Sequence, residues 1–301
     1  MSVLGGDEVA AFAEAVGIAA DRALAAPEPW RPGAVQDDRS PALTSALAAM
    51  GWLELAADPA LLPLAGPAAL GLGSRLAPLA DIDALLGGSP LAGGLVRYAA
   101  HRAVALAPAA DGDARANGDA GTNRDAAAKP TADGDASGGS AFPAVLYAVE
   151  ASEPLAYGDA LGVHRVLAAA PAGTVPATAV AAWTAASVGY LAGLAEWALA
   201  LALDHTKGRR AFGTTLAGLA PVQQRLADAA TATRGLTLLA HDDPGRAALA
   251  HAGAAAIEVT AACQQVVGAI GFTLEFPLQR AYRRARAVQL WADAFLTPPS
   301  P

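Results

Sequence analysis

In the last third of the chain, apolar residues return at alternating intervals of three and four. Val180, Trp183, Ser187, Tyr190, Leu194, Trp197 and Leu201 trace one such seam, interrupted only by Ser187, and predict a long helix after Pro176. Pro221 stands where a first-turn proline belongs, and Leu219, Val222, Leu226, Ala229 and Leu236 make a second seam. A third helix is predicted from Arg246 to Val267 and a fourth from Pro277 to Phe295. Four long helices with short connections read as an antiparallel bundle.

The N-terminal half is less regular. Asp7 to Ala25 reads as an amphipathic helix with Val9, Phe12, Val16 and Ile18 on its apolar side. Ser40-Pro41 is a helix start, with Leu43, Leu47 and Met50 at helical spacing before Gly51 stops it. Pro63, Gly66 and Pro67 should break the next apolar stretch, and Gly71 to Gly73 reads as turn. Ile82 to Leu106 should be helical except around Gly87, Gly88, Pro90, Gly93 and Gly94. Residues 109–140 have no apolar side chain larger than alanine or proline, so their composition predicts a disordered linker or insertion. Phe142–Val149 and Leu161–Leu167 have the content of short strands, which leaves room for a small sheet between about 102 and 175 and no more.

Composition narrows the class. Of 301 residues, 54% are hydrophobic, mostly alanine, and the net charge is −8, which fits an acidic helical protein without a nucleic-acid surface. The lone cysteine, Cys263, excludes an internal disulfide and reads as a small buried hydrophobe. Met1 to Glu8 has no basic or apolar leader character, and the longest apolar run, 175–203, is periodic and carries Glu196. A cytoplasmic protein with no membrane partner is the expectation. The five histidines lack metal-ligand spacing, so no metal site is predicted.

Two motifs carry chemistry. Arg209-Arg210-Ala211-Phe212-Gly213 is followed about fifty residues later by Gln265-Val266-Val267-Gly268-Ala269-Ile270-Gly271, and then by Glu275-Phe276-Pro277 and the run Arg280, Arg283, Arg284, Arg286. Over about residues 176–294 this pattern resembles the C-terminal domain of flavin-dependent acyl-CoA dehydrogenases; Met50-Gly51-Trp52-Leu53-Glu54-Leu55 resembles that family's N-terminal helix end. The resemblance implies a mainly α fold: an N-terminal helical domain (1–104), a reduced middle β domain with its low-complexity insertion (105–175) and a C-terminal four-helix bundle (176–301). It implies FAD, shared at a subunit interface, and an acyl-CoA thioester. Arg209 and Phe212 would meet the diphosphate and adenine region of a neighbour's FAD, with Gln265 and the backbone at Gly268 holding its adenosine end. The structural alternative is that Arg209 caps a helix and Phe212 fills the bundle core.

The departures are as informative. The family's two locations for the catalytic glutamate correspond here to Ala292 and Trp183, and neither side chain can take a proton. Asp293 is the one weak candidate base, rotated ~100° around the helix from Ala292. The family's flavin-facing Gln and Thr are Ala220 and Ala294, its second glycine is Ala269, and its Thr-Glu-Pro-like loop has no counterpart between Val104 and Val175. These losses point to a non-catalytic or partial subunit of a heteromeric acyl-CoA dehydrogenase. The alternatives are an FAD-free scaffold with the same bundle, or a homomeric dehydrogenase using Asp293. Leu278, Tyr282, Ala285 and Leu290 on the fourth helix predict an oligomeric surface, and the arginine run is expected to pair with Glu275 and helix ends.

Overall fold

The computed structural model describes residues 4–24, 40–91, 94–97, 100–106, 144–154, 163–242 and 245–296. The low-complexity segment 109–140 and Gly158–Gly162 lie outside the described residues. Helix α1 (Gly6–Ala23) buries Val16 and Ala20, but Ile18, expected on the same face, is exposed. Helix α2 (Pro41–Ala49) begins as its sequence requires: Ser40 Oγ accepts the Leu43 N–H, Pro41 sits in the first turn, and Gly51 turns the chain at φ +85°.

The segment expected to break at Pro63, Gly66 and Pro67 does not break. A 3₁₀ stretch (Pro59–Leu64) runs straight into α3 (Ala65–Gly73), and Gly71 and Gly73 are helical rather than turn residues. The glycines are there for packing. A Cβ on Gly189 would overlap the Gly66 carbonyl oxygen and stand 2.8 Å from its carbon, and one on Gly193 would lie 2.5 Å from Ser74 N. Helix α5 (Ala177–Gly208) therefore crosses α3 backbone against backbone. The sequence seam understates α5, which is buried on every side from Ala182 to Ala195, Ser187 included. It is long and apolar enough to cross a membrane, but it is the core helix of this fold, two-thirds buried by its neighbours.

After α4 (Leu79–Asp83) and a 3₁₀ turn (Ala84–Leu86), Gly87 at φ +73° ends helical structure. The helix expected to continue to Leu106 is replaced by strands β1 (Ser89–Pro90), β2 (Leu95–Val96) and β3 (Arg102–Leu106). Gly87, Gly88, Pro90, Gly93 and Gly94 interrupt any helix before Leu95, and the short apolar runs beyond them, Leu95–Val96 and 102–106, join a sheet. With β4 (Ala144–Pro154) and β5 (His164–Val175) they form five strands ordered β1-β3-β4-β5-β2, antiparallel except for β1 with β3. The sheet thus starts at residue 89, earlier than the expected 102, and its two long strands outrun the short ones predicted.

The bundle follows the sequence closely: α5 is joined by α6 (Ala220–Leu239), α7 (Arg246–Val267) and α8 (Leu278–Leu296). Arg284 is not an ion-pair partner for Glu275. It is buried and donates to the carbonyls of Leu76 and Ala77 and to Tyr190 Oη, tying α8 to α3 and α5. Leu76 itself is held in the left-handed region at φ +52°. Leu278 and Ala285 are fully buried inside the chain, so of the residues expected to form an oligomeric face on α8, Leu290 is the clearly exposed one.

Candidate functional site

Connectivity fixes where the motifs lie. In an up-and-down bundle the C-terminal end of α5, the N-terminal end of α6, the C-terminal end of α7 and the N-terminal end of α8 share one end. Arg209, Phe212, Gln265 and Gly268 all belong to that end. His205 meets Phe276 edge to face at 5.6 Å, joining the end of α5 to the entry of α8, and Arg225 on α6 donates to Gln265 Oε1 on α7.

Arg209 is the C-cap of α5, its backbone N–H on the His205 carbonyl at 2.9 Å and its side chain in solvent. The next residues form a hairpin of β6 (Arg210–Ala211) and β7 (Thr214–Thr215). Its two-residue loop is Phe212-Gly213, with φ of +52° and +80°, the positive pair that a type I′ turn requires. Phe212 does not fill the core. It is 90% exposed and held in a conformation that costs a non-glycine residue roughly 1–2 kcal/mol. Gly268 ends α7 at φ +84° with open space where a Cβ would be, and Ile270 and Phe272 beyond it are also exposed. This end therefore presents cations, an aromatic ring and an accessible backbone to whatever lies against it.

The other end is sealed. Trp183 and Ala292, the two positions that would hold a base, are each 1% exposed. Asp293 sits one step, ~100°, around α8 from the buried Ala292 and is exposed. The Trp183 indole donates to Asp83 Oδ1 at 3.2 Å, and Asp83 is gripped at both oxygens by Arg97, through Nε at 3.0 Å and through Nη2. The Arg97 guanidinium lies over the Trp291 ring, 5.3 Å from its centroid. Burial pushes the Asp83 carboxyl up from its ordinary range, opposed by the charge of Arg97 and the hydrogen bonds from Trp183 and Arg97. Sequence reading missed this cluster. Its only trace is a charged residue after the apolar pair Leu95-Val96 and another inside an Ala/Leu run. Cys263, deep in α7, is the small buried hydrophobe expected, its thiol pushed up by burial to about 12.

Residues 173–292 match the family model of the acyl-CoA dehydrogenase C-terminal domain. Over these residues the chain carries an acyl-CoA dehydrogenase C-terminal domain. Over 112 residues the chain is 35% identical to cyclohex-1-ene-1-carbonyl-CoA dehydrogenase of Geobacter metallireducens, and over 113 residues 33% identical to the mitochondrial short-chain specific acyl-CoA dehydrogenase of Sus scrofa. Each match covers 33% of this chain but only 30% and 27% of the relative. Among solved structures, the ChsE4-ChsE5 complex from Mycobacterium tuberculosis superposes at TM-score 0.62 and 15% identity, covering 98% of this chain and 95% of that one. A glutaryl-CoA dehydrogenase from Mycobacterium smegmatis in complex with FADH2 superposes at 0.60 and 13%, over 98% and 93%. At these identities the structural likeness shows the fold alone.

Proposed function

We propose that this chain is the non-catalytic or partial subunit of a heteromeric, FAD-dependent acyl-CoA dehydrogenase. The carrying observation is polarity along α5. Arg209 and Trp183 are twenty-six residues apart on one helix, roughly 40 Å along its axis. An extended dinucleotide does not span that distance. The exposed end therefore serves a cofactor whose flavin ring sits elsewhere, against another subunit, while this chain's own base end offers only an indole and a methyl group.

The residues present fit the adenosine half of FAD and not its ring half. Arg209 can place two N–H groups on a diphosphate, and Phe212 offers a ring face. Gly268 lets a ligand approach the backbone, and Arg225, by holding Gln265 Oε1, leaves the Gln265 amide N–H₂ to donate outward. Ala220 and Ala294, where the resemblance puts a flavin-facing Gln and a Thr, offer no side-chain donor. Bound FAD would supply hydride acceptance for α,β-desaturation of the thioester. This chain's contribution is to bind and orient the cofactor's far end, and the proton must go to a base on the partner. That two-chain complexes of this fold exist, as ChsE4-ChsE5 does, supports the reading.

Strain supports it too. A left-handed phenylalanine in solvent lowers the stability of the free chain and is retained only if something uses the ring. The test is Arg209→Ala and Phe212→Asn in a complex reconstituted with an acyl-CoA dehydrogenase-like partner. Each should weaken FAD binding by the partner at least tenfold while leaving the complex assembled. Unchanged flavin affinity in both variants would refute the assignment.

A further inference from the structure

Trp183, at one of the two positions that could have carried a base, and Trp291, the neighbour of the other, converge on one cluster. Trp183 points its N–H at Asp83; Trp291, the neighbour of Ala292, lies beneath Arg97; and the carboxylate and guanidinium between them are bound at two points. Four elements meet there: Asp83 ends α4, Arg97 follows β2, Trp183 belongs to α5 and Trp291 to α8. The side chain of Arg97 is 1% exposed and that of Asp83 6%. Arg97 is fixed from the backbone side as well, its N–H donating to Ser89 Oγ at 3.0 Å.

We infer that this cluster is an internal filler: the acyl-binding pocket at the base end of this chain is permanently occupied by its own side chains, and the filler cements the sheet to the bundle where a thioester would otherwise lie. The inference rests on the proposed partial-subunit reading and deepens it, since it says which of the assembly's pockets is closed and by what.

Chemistry favours filling over binding. The Asp83 charge is already neutralised by Arg97, so the cluster offers no net charge to attract a ligand. Two of its donors, Arg97 Nη1 and Trp291 Nε1, are buried without an acceptor. An aliphatic core would have left no such donors, so the packing here is serviceable rather than optimal. That makes a specific pattern of variants diagnostic. Removing one partner strands the other as a buried, uncompensated charge, whereas replacing both by aliphatic groups of similar volume removes the polar burden together.

The experiment is thermal unfolding of the full chain, alone and with butyryl-CoA, for the wild type, Asp83→Leu, Arg97→Met and the double variant. Each single substitution should lower the midpoint by about 10 °C, and the double variant should recover most of that loss. Butyryl-CoA should shift none of the four midpoints. A double variant as unstable as the sum of the singles would overturn the filler role. A butyryl-CoA shift of the wild type that disappears in the double variant would show an open pocket and overturn the closure. Neither result bears on whether Arg209 and Phe212 serve a partner's flavin, which the reconstituted complex tests separately.

Discussion

Replacing Gly189 by alanine should destabilise this protein, although the same change in most helices does the reverse. On propensity alone, alanine inside α5 would be worth about 1 kcal/mol. At 189 the added methyl would occupy the place of the Gly66 carbonyl oxygen and stand 2.8 Å from the Gly66 carbonyl carbon and 3.0 Å from its Cα. All three are backbone atoms, so no side-chain rotation relieves the overlap, and α3 must retreat from α5 by about 1 Å to restore normal contact. A gap of that size forfeits a quarter to a half of the dispersion well at each contact along the crossing. The buried faces of Ala65, Ala69 and Leu72 on α3 and of Ala185, Ala186 and Ala192 on α5 all lose by it. Overpacking against backbone costs about 3 kcal/mol, so the net change is a loss of about 2 kcal/mol. Gly235→Ala is the control, because nothing lies within 4 Å of that Cβ position on α6; it should gain about 0.5–1 kcal/mol. Urea unfolding of both variants beside the wild type reads the sign directly. A Gly189→Ala midpoint at or above that of the wild type would show that the two helices are not in backbone contact.

Other outcomes follow from single sites. Phe212→Asn should raise stability by about 1 kcal/mol, since Asn-Gly is the favoured pair for a hairpin loop with two positive φ values, even as it removes the ring proposed for the partner's cofactor; thermal unfolding of the free chain checks the first effect. Arg284→Met should cost about 2–3 kcal/mol by leaving the carbonyls of Leu76 and Ala77 without that donor, measured by the same urea titration. Cys263, with its thiol pushed up to about 12, stays protonated and shielded at pH 8, so a disulfide reagent should label it only as fast as the protein unfolds. Labelling within seconds in native buffer would contradict the burial.

The bundle was legible because its helices are long and each buries a periodic face. Arg246–Val267 and the start at Pro41 coincide with their sequence signals, and the Pro221 turn and the Gly268 stop fall where backbone chemistry puts them. The middle was less legible. Gly66, Gly71 and Gly73 read as breakers because a sequence shows the missing side chain but not the helix that fills the space. β1, β2 and β3 were misread because strands of two to five residues carry too few positions to display a period. At the site, motif spacing placed Arg209, Phe212, Gln265 and Gly268 together. Nothing local announced the pairing of Asp83 with Arg97, or of Arg97 with Trp291 almost two hundred positions later, because such contacts are set by how four elements meet.

The central claim is that this chain lends its exposed bundle end to a cofactor whose reaction takes place on another subunit. The most direct measurement is the visible absorption spectrum and acyl-CoA-dependent reduction of an artificial electron acceptor, taken on the purified chain alone and again with its catalytic partner. Alone it should be colourless and inactive with every acyl-CoA tried; with the partner, flavin absorbance and turnover should appear and fall together in the Arg209→Ala variant. Stoichiometric FAD and turnover in the isolated chain would contradict the account.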